Sequence, residues 1–270
     1  MREFDANRAK LLLADWERLV YAVGAGWVAV GDACIRLTLD AQDGTRYGDA
    51  QLDDYHTAGV LGWRPPVRLR IRARFSHAAA MLRGTAGFGF WNDPFGMTKA
   101  VMPLSWLPKL RLPQAVWFFF ASPPSDMPLA LDVQGMGWKA ATLDASRLVA
   151  KLLMPLAPLG MMLCRWSWAY RRLWPFAQRV LNIDERVLPM AMDEWHTYEL
   201  DWGDDGVRFS VDGKELFWSR HSPRGPLGLV IWIDNQYMVA TPQGVIRNGL
   251  IETDEQWLEV AELDVRPGSV

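Results

Sequence analysis

Three short clusters combine an aromatic ring with carboxylates and carboxamides. The first is Gln51-Leu52-Asp53-Asp54-Tyr55, the second Phe90-Trp91-Asn92-Asp93-Pro94, and the third Trp232-Ile233-Asp234-Asn235-Gln236-Tyr237. That mixture suits sugar recognition: a flat ring covers the C–H face of a pyranose, and Asp or Asn groups take its hydroxyls. A few convergent polar groups in an apolar pocket also describe small-molecule sites in general. The expected ligand-binding set is Asp53, Tyr55, Trp91, Asn92, Asp93, Trp117, Asp132, Trp138, Trp232, Asp234, Asn235 and Tyr237. Each cluster also has a purely structural reading, since Asn92-Asp93-Pro94 is ordinary turn chemistry. Asp234-Asn235 is fed by the apolar run Leu229–Ile233, and a core strand tends not to bury such a pair unpartnered.

Common catalytic signatures are missing. The sequence holds no G-x-S-x-G and no H-E-x-x-H, and Gly87-Phe88-Gly89 does not extend to G-x-G-x-x-G. The four histidines, His56, His77, His196 and His221, are dispersed. No cofactor is expected; calcium on loop carboxylates and carbonyls stays open, although no EF-hand spacing occurs.

Composition narrows the class. Half of the 270 residues are apolar, enough for a large core. The 29 basic and 31 acidic residues leave a net charge of −2, unlike a dedicated nucleic-acid binder. Fifteen tryptophans exceed ordinary use. Cys34 and Cys164 are expected as free thiols rather than a disulfide. The first twenty residues lack the basic start and unbroken apolar stretch of a secretory signal. A cytoplasmic location is therefore expected, with membrane association as an addition.

The elements that must position these groups read mostly as strands. Arg68-Leu69-Arg70-Ile71-Arg72-Ala73-Arg74-Phe75 alternates strictly, one face arginine and the other apolar. The arginines are read as solvated, with anion or lipid-headgroup binding as the alternative. Ala86–Trp91 and Ala115–Ala121 are apolar runs suited to strands buried on both faces. Trp195–Trp202, Val207–Val211 and Lys214–Trp218 form successive strands, the last two joined by Asp212-Gly213, a strong hairpin signal. Leu227–Ile233 and Trp257–Val265 close the series. Residues 1–24 are read as an amino-terminal extension with a short amphipathic helix over 6–20, and 25–270 as one sandwich.

Ser146–Arg186 breaks the pattern. It is rich in Leu, Met, Ala and Trp and reads as a helical insertion, with its better helix over about Met161 to Leu173. From Arg147 to Arg179 it carries six bases and no acid. Such a composition fits either a helical cap on the sandwich or a lid at a membrane interface, with Arg165, Trp166, Trp168, Arg171, Arg172 and Trp174 as lid residues. The uncharged stretch Leu152–Leu163 is too short to span a bilayer.

Trp195–Phe217 (WHTYELDWGDDGVRFSVDGKELF) resembles the late hairpin of family 16 glycoside hydrolases and related concanavalin A-like domains, through His196, Thr197, Tyr198, Trp202, Val211, Asp212, Gly213 and Lys214. The resemblance implies an all-β jelly-roll sandwich. It also implies a retaining carboxylate pair about 5–5.5 Å apart, which that family places on one strand as E-x-D-x-x-E. The strand expected to bear it, around Val116–Asp132, has no glutamate and only Asp126 and Asp132 as acids. Glu199-Leu200-Asp201-Trp202-Gly203-Asp204 mimics the motif but sits in the hairpin. The expected function is therefore a sandwich that binds or acts on a lipophilic or glycolipid-like small molecule. The alternatives are a carbohydrate-binding or atypical family 16 protein, and an interaction protein that docks on a membrane or partner.

Overall fold

The structure, a computed structural model, describes residues 19–31, 33–56, 60–93, 112–131 and 133–268. The strands, in chain order, begin with β1 (Val20–Val23), β2 (Gly26–Val30), β3 (Ile35–Leu39) and β4 (Asp49–Asp53). They continue with β5 (Val67–Phe75), β6 (Thr85–Trp91), β7 (Gln114–Ala121) and β8 (Gly137–Asp144). Helices α1 (Leu148–Leu153), α2 (Ala157–Leu163) and α3 (Ser167–Val180) follow. The chain returns as β9 (Asp184–Val187), β10 (His196–Trp202), β11 (Val207–Val211) and β12 (Lys214–Ser219). It ends with β13 (Gly228–Asp234), β14 (Gln236–Ala240), β15 (Ile246–Leu250) and β16 (Gln256–Pro267).

Two seven-stranded antiparallel sheets form a jelly-roll sandwich. The first runs β1-β4-β13-β6-β7-β8-β9 and the second β12-β11-β10-β5-β16-β3-β2, with β14-β15 as a small appended hairpin. The alternation along β5 explains the second sheet: Val67, Leu69, Ile71, Ala73 and Phe75 are buried, and the arginines between them are half-buried. Those arginines are not free. Arg68 pairs with Glu199 and Asp201, Arg70 with Glu199 and Glu262, and Arg74 with Glu259, while Arg72 lies over the Trp195 ring. The Glu199–Asp201 mimic of a catalytic motif is consumed by these pairs on the outside of the second sheet.

Between the sheets, Phe88, Phe118, Trp138 and Tyr198 pack ring to ring at centroid distances of 5.0–6.1 Å. Trp202 lies against Phe90, and Phe209 against Phe118. Each such side chain contributes about 1.5–3 kcal/mol by leaving water. The expected turn at Asp212-Gly213 is present, with φ of 51° and 76°. Cys34 and Cys164 are free.

Two expectations change. Val20–Val23 pairs with β4, so the sandwich starts before residue 25; the helix expected over 6–20 otherwise lies outside the described residues. The helix expected over 161–173 is broken: α2 ends at Leu163, Trp166 adopts an extended backbone, and α3 starts at Ser167. Pro175 lies inside α3, and the anchoring of Trp174 and Gln178 on the neighbouring loop helps carry the helix across the hydrogen bond its missing N–H removes.

Candidate ligand-binding face

The site is the outer face of the first sheet. Register places its side chains in rows across the strands. Asp49 lies opposite Asp234, which lies opposite Thr85. The next row runs Gln51, Trp232, Gly87, Phe119, Lys139. The row beyond runs Asp53, Val230, Gly89, Trp117, Ala141, Glu185. Alternation turns these residues outward because their neighbours Leu52, Ile231, Phe88 and Phe118 fill the core.

Two glycines make room for the rings. A Cβ on Gly87 would stand 2.8 Å from the Trp232 indole, and one on Gly89 2.7 Å from the Trp117 Cβ. With no side chain in the way, the large rings lie against the sheet as a continuous strip. Trp91 and Trp117 are 5.8 Å apart, Trp117 stacks on Phe119 at 5.3 Å, and Trp117 and Phe119 lie 5.6 and 6.0 Å from Trp232. Trp232 is buried beneath, while Trp91, Trp117 and Phe119 remain half-buried.

Carboxylates flank the strip. Asp234 Oδ1 accepts the Thr85 N–H (3.2 Å), the Thr85 hydroxyl (2.9 Å) and the Gln236 N–H (3.0 Å). The Trp232 indole N–H donates to that same threonine at 2.9 Å. Burial outweighs these bonds and pushes the Asp234 carboxyl up to about 6. Asp49 is raised well above the usual carboxylate range, first by burial and then by the facing Asp234 charge. Asp49 Oδ1 is buried without a hydrogen-bond partner. Two facing buried carboxyls therefore hold a proton over a wider pH range than a lone aspartate.

A second polar group sits at the β1–β4 edge. Asp53 Oδ1 accepts the backbone N–H of Tyr55 and His56, and Oδ2 accepts Gln51 Nε2 and contacts His56 Nδ1 at 2.6 Å. Tyr21 stacks on the His56 ring at 4.4 Å, and His56 Nε2 is buried with no partner. A carboxylate-oriented imidazole with its far nitrogen unpaired can move a proton to or from a bound molecule. Tyr55 accepts a 2.7 Å bond from the Trp91 indole, joining this dyad to the aromatic strip.

The fold thus brings Asp53, Tyr55, Trp91, Trp117, Trp232 and Asp234 together. Asp93, at φ 40°, raises the pKa of both Tyr21 and Tyr55 by its charge and so belongs to the same edge. Other expected members take different roles. Trp138 faces the inner core and not the outer face. Asn92 closes the β6–β7 end, accepting Gln114 N–H and donating to Leu112 O. Asn235 is fully buried, accepting Gly48 N–H and donating to Arg46 O, so it binds backbone rather than ligand. Tyr237 packs its ring over Gly249 in the β14–β15 hairpin. Asp132 lies outside the described residues. Asp49 and His56 were missed; the one available signal was an aspartate three residues before a histidine in a turn.

Among the described residues no group of three or more His, Cys, Asp or Glu is arranged to hold a metal ion. A separate open depression of about 560 Å³, lined by Arg68, Asp201, Trp218 and Arg266 among others, lies at the end of the second sheet, away from this face.

No protein-family model and no curated protein matches the chain. Solved structures similar to it include the Crh5 transglycosylase in complex with NAG, at 11% identity and TM-score 0.48 over 93% of this chain and 79% of that one. A β-glucanase of Bacillus licheniformis is similar at 11% identity and TM-score 0.45, over 89% and 82%. A pseudo β-1,3-glucanase of Mycobacterium tuberculosis is similar at 11% identity and TM-score 0.44, over 90% and 78%. These likenesses concern the fold: two face-to-face antiparallel sheets make the chain an all-β jelly-roll sandwich.

Proposed function

We propose that the outer face of the first sheet binds a carbohydrate-containing ligand. The observation that carries this reading is the ring strip Trp91–Trp117–Phe119, laid over two glycines and flanked by the Asp49–Asp234 pair and the Asp53–His56 dyad. Sugar rings have apolar faces for the indoles and hydroxyls for the carboxyl groups. Chemistry of the ordinary retaining kind is not part of the proposal: β7 turns Trp117, Phe119 and Ala121 outward, with no carboxylate among them. A hydrophobic tunnel beneath the helical insertion has no support either, because the insertion turns much of its apolar surface outward. If the ligand is also transformed, His56 supported by Asp53 is the group placed to move the proton.

The test is binding of the full chain to a panel of oligosaccharides by calorimetry. Trp117→Ala should weaken binding at least about tenfold with little change in melting temperature. Wild-type protein that binds none of the glycans, or a Trp117 variant with unchanged affinity, overturns the reading.

A further inference from the structure

The helical insertion joins neighbouring strands β8 and β9 at the edge of the first sheet, and its two sides differ sharply. The inner side is anchored: the Trp174 indole donates to Leu129 O, and Gln178 Oε1 accepts Leu131 N–H. The same loop is held by the buried Lys139–Glu185 pair, whose carboxylate also accepts the N–H groups of Leu129 and Ala130. Trp174, expected as a lid residue, is therefore an anchor.

The outer side is apolar and basic. Leu148, Leu152 (67% exposed), Leu156 and Leu159 project from α1, α2 and the turn between them. Trp166, Trp168 (71% exposed) and Phe176 project from α3 and its start. Trp168, Arg172 and Phe176 fall at i, i+4 and i+8, so ring and base alternate along one helix face. Lys151, Arg165 and Arg172 are exposed and have no ion-pair partner among the described residues. The hairpin tip extends the surface: Gly244 lies against Met161 of α2, and Val245 and Ile246 beside it are exposed.

We infer that this surface docks on an anionic lipid membrane, lying in the interface plane. Exposed apolar groups of this extent disfavour water, and Ala145–Ile183 contains no carboxylate, although Asp144 just before it pairs with Arg147. An apolar protein partner would not call for bases such as Lys151, Arg165 and Arg172 set among the apolar groups, whereas phosphate and carboxylate headgroups do. Long basic side chains reach headgroups while their stems and the tryptophans sit at the acyl boundary. No helix among the described residues is long and apolar enough to cross a bilayer, in keeping with a surface-lying segment. The inference is independent of the sugar reading, though a docked insertion would hold the ligand face beside the membrane.

Flotation of the full chain with phosphatidylserine–phosphatidylcholine vesicles and with phosphatidylcholine alone tests it. Binding is expected to the first at low salt, weakening at high salt as screening grows. Each base near such a surface contributes about fivefold, so Lys151→Gln/Arg165→Gln/Arg172→Gln should lower partitioning roughly a hundredfold. Leu152→Ser/Trp168→Ser should also lower it, and quenching by brominated lipid should report Trp168 burial in the wild type. Circular dichroism confirms that the variants, all at exposed positions, stay folded. Absence of flotation at low salt, or flotation unchanged in both variants, overturns the inference. A concentration-dependent dimer that Leu152→Ser/Trp168→Ser abolishes, without lipid binding, would assign the surface to a second copy and overturn it equally.

Discussion

Replacing Asp234 with asparagine should change how stability depends on pH more than it changes the structure. The amide oxygen of asparagine can keep the bonds that Oδ1 accepts from Thr85 and Gln236. What disappears is a buried ionisation. The folded carboxyl titrates near 6 against 3.8 for an ordinary aspartate, so the folded state binds its proton more tightly than the unfolded chain does. That stabilisation is fully present below about 3.8 and is lost as pH rises to the folded value. At about 1.4 kcal/mol per unit the whole shift amounts to roughly 3 kcal/mol, of which the wild type gives up about 2 kcal/mol between pH 4 and 6.5. Asp49 adds to the same slope in the wild type and loses part of its own upward shift once the facing charge is gone. The Asn variant should thus gain on the wild type by about 2 kcal/mol across this window, or roughly 4–8 °C in melting temperature. Urea unfolding of both proteins at pH 4.5, 5.5, 6.5 and 7.5 measures the difference directly. Parallel stability profiles, offset by a constant amount, would refute the claim that burial holds Asp234 up.

Lys139→Met should leave the Glu185 charge buried without its cation and cost about 3–5 kcal/mol in urea unfolding. Lys139→Met/Glu185→Gln should recover much of that loss, and equal losses in both variants would show that the charge is not the cause. Asn235→Ala should lower the melting temperature by removing an acceptor for the buried Gly48 N–H, at about 1–3 kcal/mol, while glycan affinity persists; lost affinity at unchanged stability would return Asn235 to the ligand. Laminarin and lichenan assays should release no reducing ends, since β7 bears no outward carboxylate; robust turnover would show that Asp49, Asp234 or Asp53 supplies the missing pair.

Particular residues show how far the chain could be read without coordinates. The strict alternation of Arg68–Phe75 specified a half-buried strand, because side chains of period two can satisfy one wet and one dry face only in that conformation. Asp212-Gly213 specified its hairpin because the turn demands positive φ at both positions. The clusters at Asp53, Trp91 and Trp232 were visible because they are local in sequence. Within them, however, sequence could not separate Trp117 from Trp138: both lie in apolar strands, and only the strand register shows one ring outward and the other in the core.

Sequence by itself determined the class of fold, the strands β5–β7, β10–β13 and β16, the absence of the usual glycosidase motif and the helical, basic character of Ser146–Arg186. Periodicity, turn chemistry and composition are local properties, legible in any window of the chain. Tertiary structure decided everything that depends on which strands are neighbours. Asp49 faces Asp234 only because β4 pairs with β13, which makes two ordinary aspartates into a coupled pair. The Arg68–Arg74 row meets Glu199, Glu259 and Glu262 only because β10 and β16 flank β5, which turns a candidate anion site into a set of closed ion pairs. Asn235 spends its amide on the Ile251 carbonyl just after β15 and on backbone from the turn before β4, so the residue that looked most like a ligand contact is a brace. Contacts between residues far apart in sequence carry no signature in one chain, because a strand's own pattern records which face is dry but not which strand lies beside it.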